Sequence, residues 1–148
     1  MKEHTKRRNL NRGYMKLEVW NDAINLFKST YNLVDKISNL DYKLKTQIVD
    51  AAQSISSNIA EGYGRKSINE YLYFLNISLG SSAELLTRIF GLREINLIQE
   101  NDFEEFDTKH YEVKNKLLGL VKSLQTKQQK GSWDNLVREK EIEYGKTQ

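Results

Sequence analysis

Apolar residues return every three or four positions in four separate stretches of this 148-residue chain, and no proline interrupts any of them. A three-and-four step places side chains on one face of an α-helix. Proline removes an amide donor and clashes with the preceding turn, so its absence permits long unbroken helices. Together these features predict an all-α fold. Short connections between the four stretches predict an antiparallel up-and-down four-helix bundle.

In the first stretch Trp20, Ile24, Phe27, Tyr31 and Val34 share a face, which predicts a helix ending near Ile37. Ser38-Asn39-Leu40-Asp41 follows with turn and capping residues. The second stretch turns Leu44, Ile48, Ala51, Ala52, Ile55 and Ile59 inward, its small residues admitting a close neighbour. Gly62-Tyr63-Gly64 is expected to end it, glycine readily taking the left-handed conformation of a helix terminus. Ser67-Ile68-Asn69-Glu70 fits a capping box and opens a third helix running to about Asn96. That helix carries two apolar stripes, one of Leu72, Leu75, Leu79, Ala83, Leu86 and Phe90, the other of Tyr71, Phe74, Leu85, Ile89 and Leu92. One stripe suffices for an intramolecular core. The second asks for a central position or, as we expect, a subunit interface. Asn101-Asp102-Phe103-Glu104 predicts the start of a fourth helix. Its seam reads Phe103, Phe106, His110, Val113, Leu117, Leu120 and Leu124 before fading at Lys127.

Residues 1–14 lack a sustained apolar period and read as a flexible basic arm, with Met15 a candidate translation start; 15–127 form the bundle. Residues 128–148 read as a linker and tail, in which Trp133, Leu136, Val137 and Tyr144 have the spacing of one face of a short helix. Alone it would be marginal. Its own bundle, a neighbouring copy and another protein are all open as docking partners. Charge divides along the chain: residues 1–16 carry net +5, and the remaining 132 carry net −2. A basic arm attracts polyanions by releasing counterions; it also serves simply as a solvated tail.

Catalytic constellations are sparse. With no cysteine, disulfides, thiolate zinc sites and thiol nucleophiles are excluded. The histidines are His4, in the arm, and His110, on the seam of the fourth helix, and neither follows a glutamate by three residues as di-iron bundles require. Gly62-Tyr63-Gly64-Arg65-Lys66-Ser67 lacks the preceding strand and the spacing of a phosphate loop. The expectation is a protein that binds rather than catalyses, with no metal or cofactor. No apolar run approaches the roughly 20 residues needed to cross a bilayer, and no signal peptide follows the basic start. A cytoplasmic location without membrane association follows.

Ser57-Asn58-Ile59-Ala60-Glu61-Gly62-Tyr63-Gly64-Arg65 resembles the signature of a bacterial four-helix bundle family. Its members include proteins encoded within intervening sequences of large-subunit ribosomal RNA genes. They also include the accessory variability determinants of diversity-generating retroelements. Leu17-Glu18-Val19-Trp20 with Ala23, Gln47, and Gly80-Ser81 with Glu84 extend the resemblance over about Met15 to Lys127. It implies a homo-oligomer, a ring-like pentamer, associated with RNA and with a reverse transcriptase or other RNA-handling protein. The positions it marks are Asn58, Glu61, Gly62, Gly64 and Arg65, for which helix capping, turn formation and pairing of Arg65 with Glu61 or Glu84 are the structural alternatives. Lys6, Arg7, Arg8, Arg12, Lys16, Lys43, Lys45, Arg65 and Lys66 are the candidate nucleic-acid contacts, the last four of them expected to converge at helix ends. Arg88 and Arg93 are expected to line a pore or to pair with Glu84 and Glu94; Tyr14, Tyr63 and Trp133 are candidate stacking platforms. A protein-interaction scaffold without a nucleic-acid role is the alternative, favoured by the near-neutral body.

Overall fold

The structure, a computed structural model, describes residues 13–131. A 3₁₀ turn, Gly13–Lys16, leads into four helices: α1 (Glu18–Asp35), α2 (Tyr42–Tyr63), α3 (Ile68–Glu94) and α4 (Glu100–Gln129). Each packs on its neighbours in sequence, and α4 closes back onto α1. The result is the expected antiparallel up-and-down four-helix bundle, with no strand among the described residues. Gly13 and Tyr14, read as part of the arm, belong to the 3₁₀ turn. The remainder of the arm and the predicted tail helix lie outside the described residues.

The core is built from Leu26, Ile48, Ile55, Ile59, Leu75, Leu85, Ile89 and Leu117, all fully buried. Burying each of these contributes about 1.5–3 kcal/mol relative to leaving it in water. On α1 the buried face is Val19, Ala23, Leu26, Thr30 and Val34, one position back from the predicted stripe at every step but the last. Thr30 hides its polarity by donating Oγ1 to the Leu26 carbonyl at 2.7 Å, so a polar letter in the sequence occupies an apolar site. The predicted residues Ile24 and Tyr31 are 38% and 44% exposed, on the side of α1 facing α2. Leu44 of α2 is likewise exposed, not inward.

On α3 a single seam draws from both predicted stripes and adds three serines: Ile68, Tyr71, Leu75, Ser78, Ser81, Ser82, Leu85, Ile89 and Leu92. Ser78 donates to the Ile55 carbonyl at 2.9 Å and Ser82 to the Leu79 carbonyl at 2.8 Å, so both hydroxyls are satisfied while buried. Their small size, with Ala51 and Ala52 opposite, brings α2 and α3 close. Leu72, Leu79 and Leu86 are half-buried along the flank of that seam.

The ends follow from capping chemistry. Asp41 accepts from the Leu44 amide at 3.1 Å to start α2. Ser67 accepts from the Glu70 amide at 3.1 Å and donates its hydroxyl to the Glu70 carboxylate at 3.2 Å, completing a reciprocal cap on α3. Ser67→Ala is expected to cost about 1 kcal/mol, read as a fall in the thermal unfolding midpoint. The predicted Asn101 cap is absent: α4 begins two residues earlier, after Gln99, whose side chain makes no capping hydrogen bond. Asn39 and Asn96 take φ values of 60° and 62° in the loops after α1 and α3, a left-handed conformation asparagine tolerates. Lys116 of α4 donates to Glu18 at 2.7 Å and to Asp22, tying α4 to α1.

Candidate nucleic-acid interface

The family-like segment of α2 sits at the end of the bundle where the chain enters α1, leaves α2, enters α3 and leaves α4. Gly62 is buried against α3: a Cβ there would stand 3.0 Å from Phe74 Cβ and 3.0 Å from Tyr71 Cδ1. Tyr63, the next residue, continues an edge-to-face chain of rings from Trp20 to Tyr14 (5.4 Å), Tyr14 to Tyr63 (6.5 Å) and Tyr63 to Tyr71 (6.1 Å). That chain joins the 3₁₀ turn and α1 to the α2–α3 turn. Burial pushes the Tyr71 phenol well above its ordinary range.

The polar signature residues have partners within the bundle. Asn58 donates Nδ2 to the Ser54 carbonyl (2.8 Å) and hydroxyl (2.9 Å), and Ser81 of α3 donates to that same hydroxyl at 2.8 Å. Arg65 pairs with Glu61 at 2.5 Å and lies over the Phe74 ring, 4.8 Å from its centroid. Tyr14, Ser57, Ala60, Glu61, Gly64 and Arg65 line a shallow, open depression beside this pair.

The candidate cations do not form one patch. Lys43 and Lys45 open α2 while Arg65 and Lys66 follow its end, about 30 Å away at 1.5 Å per residue. Lys45 donates to Asp35 at 3.0 Å and reaches over the Tyr31 ring at 5.7 Å; the hydrogen bond to Asp35 raises its pKa. Arg88 is held by Glu84 at 3.0 Å and by the Gln47 side chain at 2.9 Å. Arg93 pairs with Glu100 at 3.0 Å across the α3–α4 turn, not with Glu94, and covers the Phe103 ring. Lys6, Arg7, Arg8 and Arg12 lie outside the described residues, as does Trp133.

What the bundle does bring together is Lys16, Arg65 and Lys66 with Lys122, Lys127 and Lys130 of α4. Asn69 at the start of α3 meets Gln128 at the end of α4, 2.5 Å apart, which fixes these ends side by side. Lys16, Lys66, Lys122 and Lys130 are exposed. The α4 lysines were missed in the sequence, though a signal is there: no acidic residue lies between Glu112 and Gly131. The opposite end collects Asp35, Asp41, Glu94, Glu100, Asp102, Glu104 and Glu105 against Lys36, Lys43, Lys45 and Arg93. The near-neutral total of the body conceals a bundle with one net basic and one net acidic end.

A family model for 23S rRNA-intervening sequence proteins matches residues 15–119. The chain belongs to that family. A search of curated proteins finds no match. The crystal structure of a Bacteroides thetaiotaomicron protein of unknown function from the S23 ribosomal protein family is similar to this fold. Its TM-score is 0.66 at 22% identity, and the match covers 70% of this chain and 98% of that one. At that identity the likeness speaks to the fold. The family match takes in the signature and the 3₁₀ turn's Met15 and Lys16, but stops before Lys122, Lys127 and Lys130. Among the described helices none is long and apolar enough to cross a membrane.

Proposed function

We propose that this family member is a non-catalytic, homo-oligomeric RNA-associated binding module, working in the cytoplasm through its basic end. The observation that carries the reading is the gathering of Lys16, Lys66, Lys122 and Lys130 at the end where residues 1–12, with Lys2, Lys6, Arg7, Arg8 and Arg12, join the bundle. Phosphates are held by such a cluster without base readout, so the binding is expected to be weakly sequence-selective and strongly salt-dependent. The exposed apolar strip of Ile24 and Tyr31, beside half-buried Trp20 and Phe27, supplies a self-association face between α1 and α2. In the ring-like pentamer that the resemblance implies, the basic ends are repeated about an axis and multiply the effective valency. A reverse transcriptase or other RNA-processing enzyme is the kind of partner such a module would serve.

The test is RNA affinity across a salt series for residues 1–148, for 15–148, and for Lys66→Gln/Lys122→Gln/Lys130→Gln. Each lost phosphate contact is expected to flatten the log–log slope by roughly 0.7–0.9. Undiminished slopes in both variants would remove this end from RNA binding. A protein scaffold without a nucleic-acid role is the second reading, favoured by the pairing of Lys45, Arg65, Arg88 and Arg93 with carboxylates of their own bundle. A partner protein that co-purifies after nuclease treatment, from an oligomer with no RNA affinity at low salt, is its signature.

A further inference from the structure

Glu61 is out of place on a surface that holds phosphates, because a carboxylate repels their oxygens. Other acids at this end are engaged elsewhere: Glu18 pairs with Lys116 at 2.7 Å, and Glu70 completes the Ser67 cap. Glu61 instead lines the open depression beside Tyr14, Ala60 and Arg65, its side chain 52% exposed. Its Oε1 accepts from Arg65 at 2.5 Å, and no other group among the described residues bonds it. An ionised carboxylate has about four lone-pair sites. Oε2 and the rest of Oε1 are open to a ligand that brings donors.

Resting on the RNA reading above, we propose that this depression takes one unpaired guanine base of the bound RNA. The Watson–Crick edge of guanine sets two donors side by side, N1–H and the N2 amino group, and one carboxylate accepts from both. Adenine, cytosine and uracil each place an acceptor beside the donor and meet a carboxylate badly. Guanine in a duplex has both donors bonded to cytosine, so the base read here is an unpaired one. Tyr14 supplies the surface on which it stacks. The ring is held before any ligand arrives. It makes edge contacts with Trp20 and Tyr63, at 5.4 and 6.5 Å. The Tyr14 carbonyl accepts from the Leu17 amide at 3.1 Å, and Asn21 donates to the Met15 carbonyl at 2.9 Å, which pins the 3₁₀ turn. Preorganisation of this kind lowers the ordering cost of binding. Exposed Lys16 and Lys66, within two residues of Tyr14 and Arg65, serve the flanking phosphates.

The test titrates the full chain with short uridine oligomers, plain or carrying one central guanosine or adenosine, and with a duplex of equal length. The guanosine oligomer is expected to bind about tenfold more tightly than the other two. Glu61→Gln is expected to abolish that preference, since an amide has one acceptor and turns its own donors toward those of guanine. The same change removes a negative charge and releases Arg65. If Glu61 served only to hold Arg65, affinity for all the oligomers would rise together and any guanosine preference would persist. Tyr14→Leu is expected to weaken every single strand and spare the duplex, whereas Lys66→Gln weakens all the probes alike. Glu61 is on the surface, so its variant keeps the bundle. Equal affinity for the three oligomers, with a steep salt slope, would overturn this site and leave the RNA reading standing. So would a guanosine preference that survives Glu61→Gln. No affinity for any probe at low salt would overturn both.

Discussion

Gly62→Val is expected to destabilise the bundle by about 3 kcal/mol or more, while Gly64→Ala, two residues on, leaves it unchanged or slightly more stable. Both glycines belong to the signature, and by sequence both looked like devices for ending a helix. Gly62 is instead a packing residue inside α2. A Cβ at this position meets Phe74 Cβ and Tyr71 Cδ1 at 3.0 Å and the Tyr71 carbonyl oxygen at 3.2 Å. Backbone and a Cβ cannot swing aside as a side-chain tip can. Overpacking of this kind costs typically 1–3 kcal/mol, and valine adds two further carbons and a β-branch that α-helix disfavours. Gly62→Ala sets the same steric cost against a helix-propensity gain of about 1 kcal/mol, so its loss is smaller. At Gly64 a Cβ meets only the Glu61 and Ala60 carbonyl oxygens, at 3.6 and 3.7 Å. Its φ of −75° is ordinary for any residue, and alanine there restricts the unfolded chain by about 0.4–1 kcal/mol. Denaturant unfolding of the three variants, with constant slope, is the measurement. Equal behaviour of Gly62→Val and Gly64→Ala would mean that the close approach of α2 to α3 is not what the first glycine serves.

The two glycines also show what the sequence could and could not convey. Periodicity and the missing prolines carried the all-helical class, the four helices and most of the core on α2 and α4, because those cores are made of residues that read as apolar. On α1 and α3 the seams run through Thr30, Ser78 and Ser82, which bury their hydroxyls against helical carbonyls. A stripe counted only in hydrophobic letters therefore lands one residue aside on α1 and splits in two on α3. Within the candidate site, the pairing of Arg65 with Glu61 was legible as an i to i+4 couple. The supposed convergence of Lys43 and Lys45 with Arg65 and Lys66 was not, since it ignored the 22-residue length of α2. The basic end became visible only when the antiparallel order set the lysine-only half of α4 beside the entrance of α1. Net charge, summed over the whole body, had cancelled it against the acidic end.

His110 is expected to make the bundle lose stability as pH falls below about 6.5, and His110→Gln is expected to abolish that loss. The ring is 3% exposed, between Phe106, 5.8 Å away, and α3. Its Nε2 stands 2.6 Å from the Ser82 carbonyl oxygen, an acceptor only, so the ring donates there and fixes the neutral tautomer protonated on Nε2. Burial favours that neutral form and lowers the pKa from 6.5. The Ser82 hydrogen bond and the charge of Asp107 oppose the shift, and Lys114 adds to it. The sign follows. Above pH 6.5 the imidazole is neutral in both folded and unfolded chains, and its full contribution is present. Below 6.5 the unfolded chain takes up a proton that the folded one resists, so stability falls until the lowered folded pKa is reached. Within that window the slope approaches one proton, about 1.4 kcal/mol per pH unit. Glutamine keeps an amide donor for the Ser82 carbonyl and does not titrate. Chemical denaturation at pH 7.5, 6.5 and 5.5 therefore separates the two proteins: the parent is expected to drop between the last two points beyond any drop in His110→Gln. Parallel pH profiles would place the acid sensitivity of the bundle elsewhere, in the carboxylates at its acidic end.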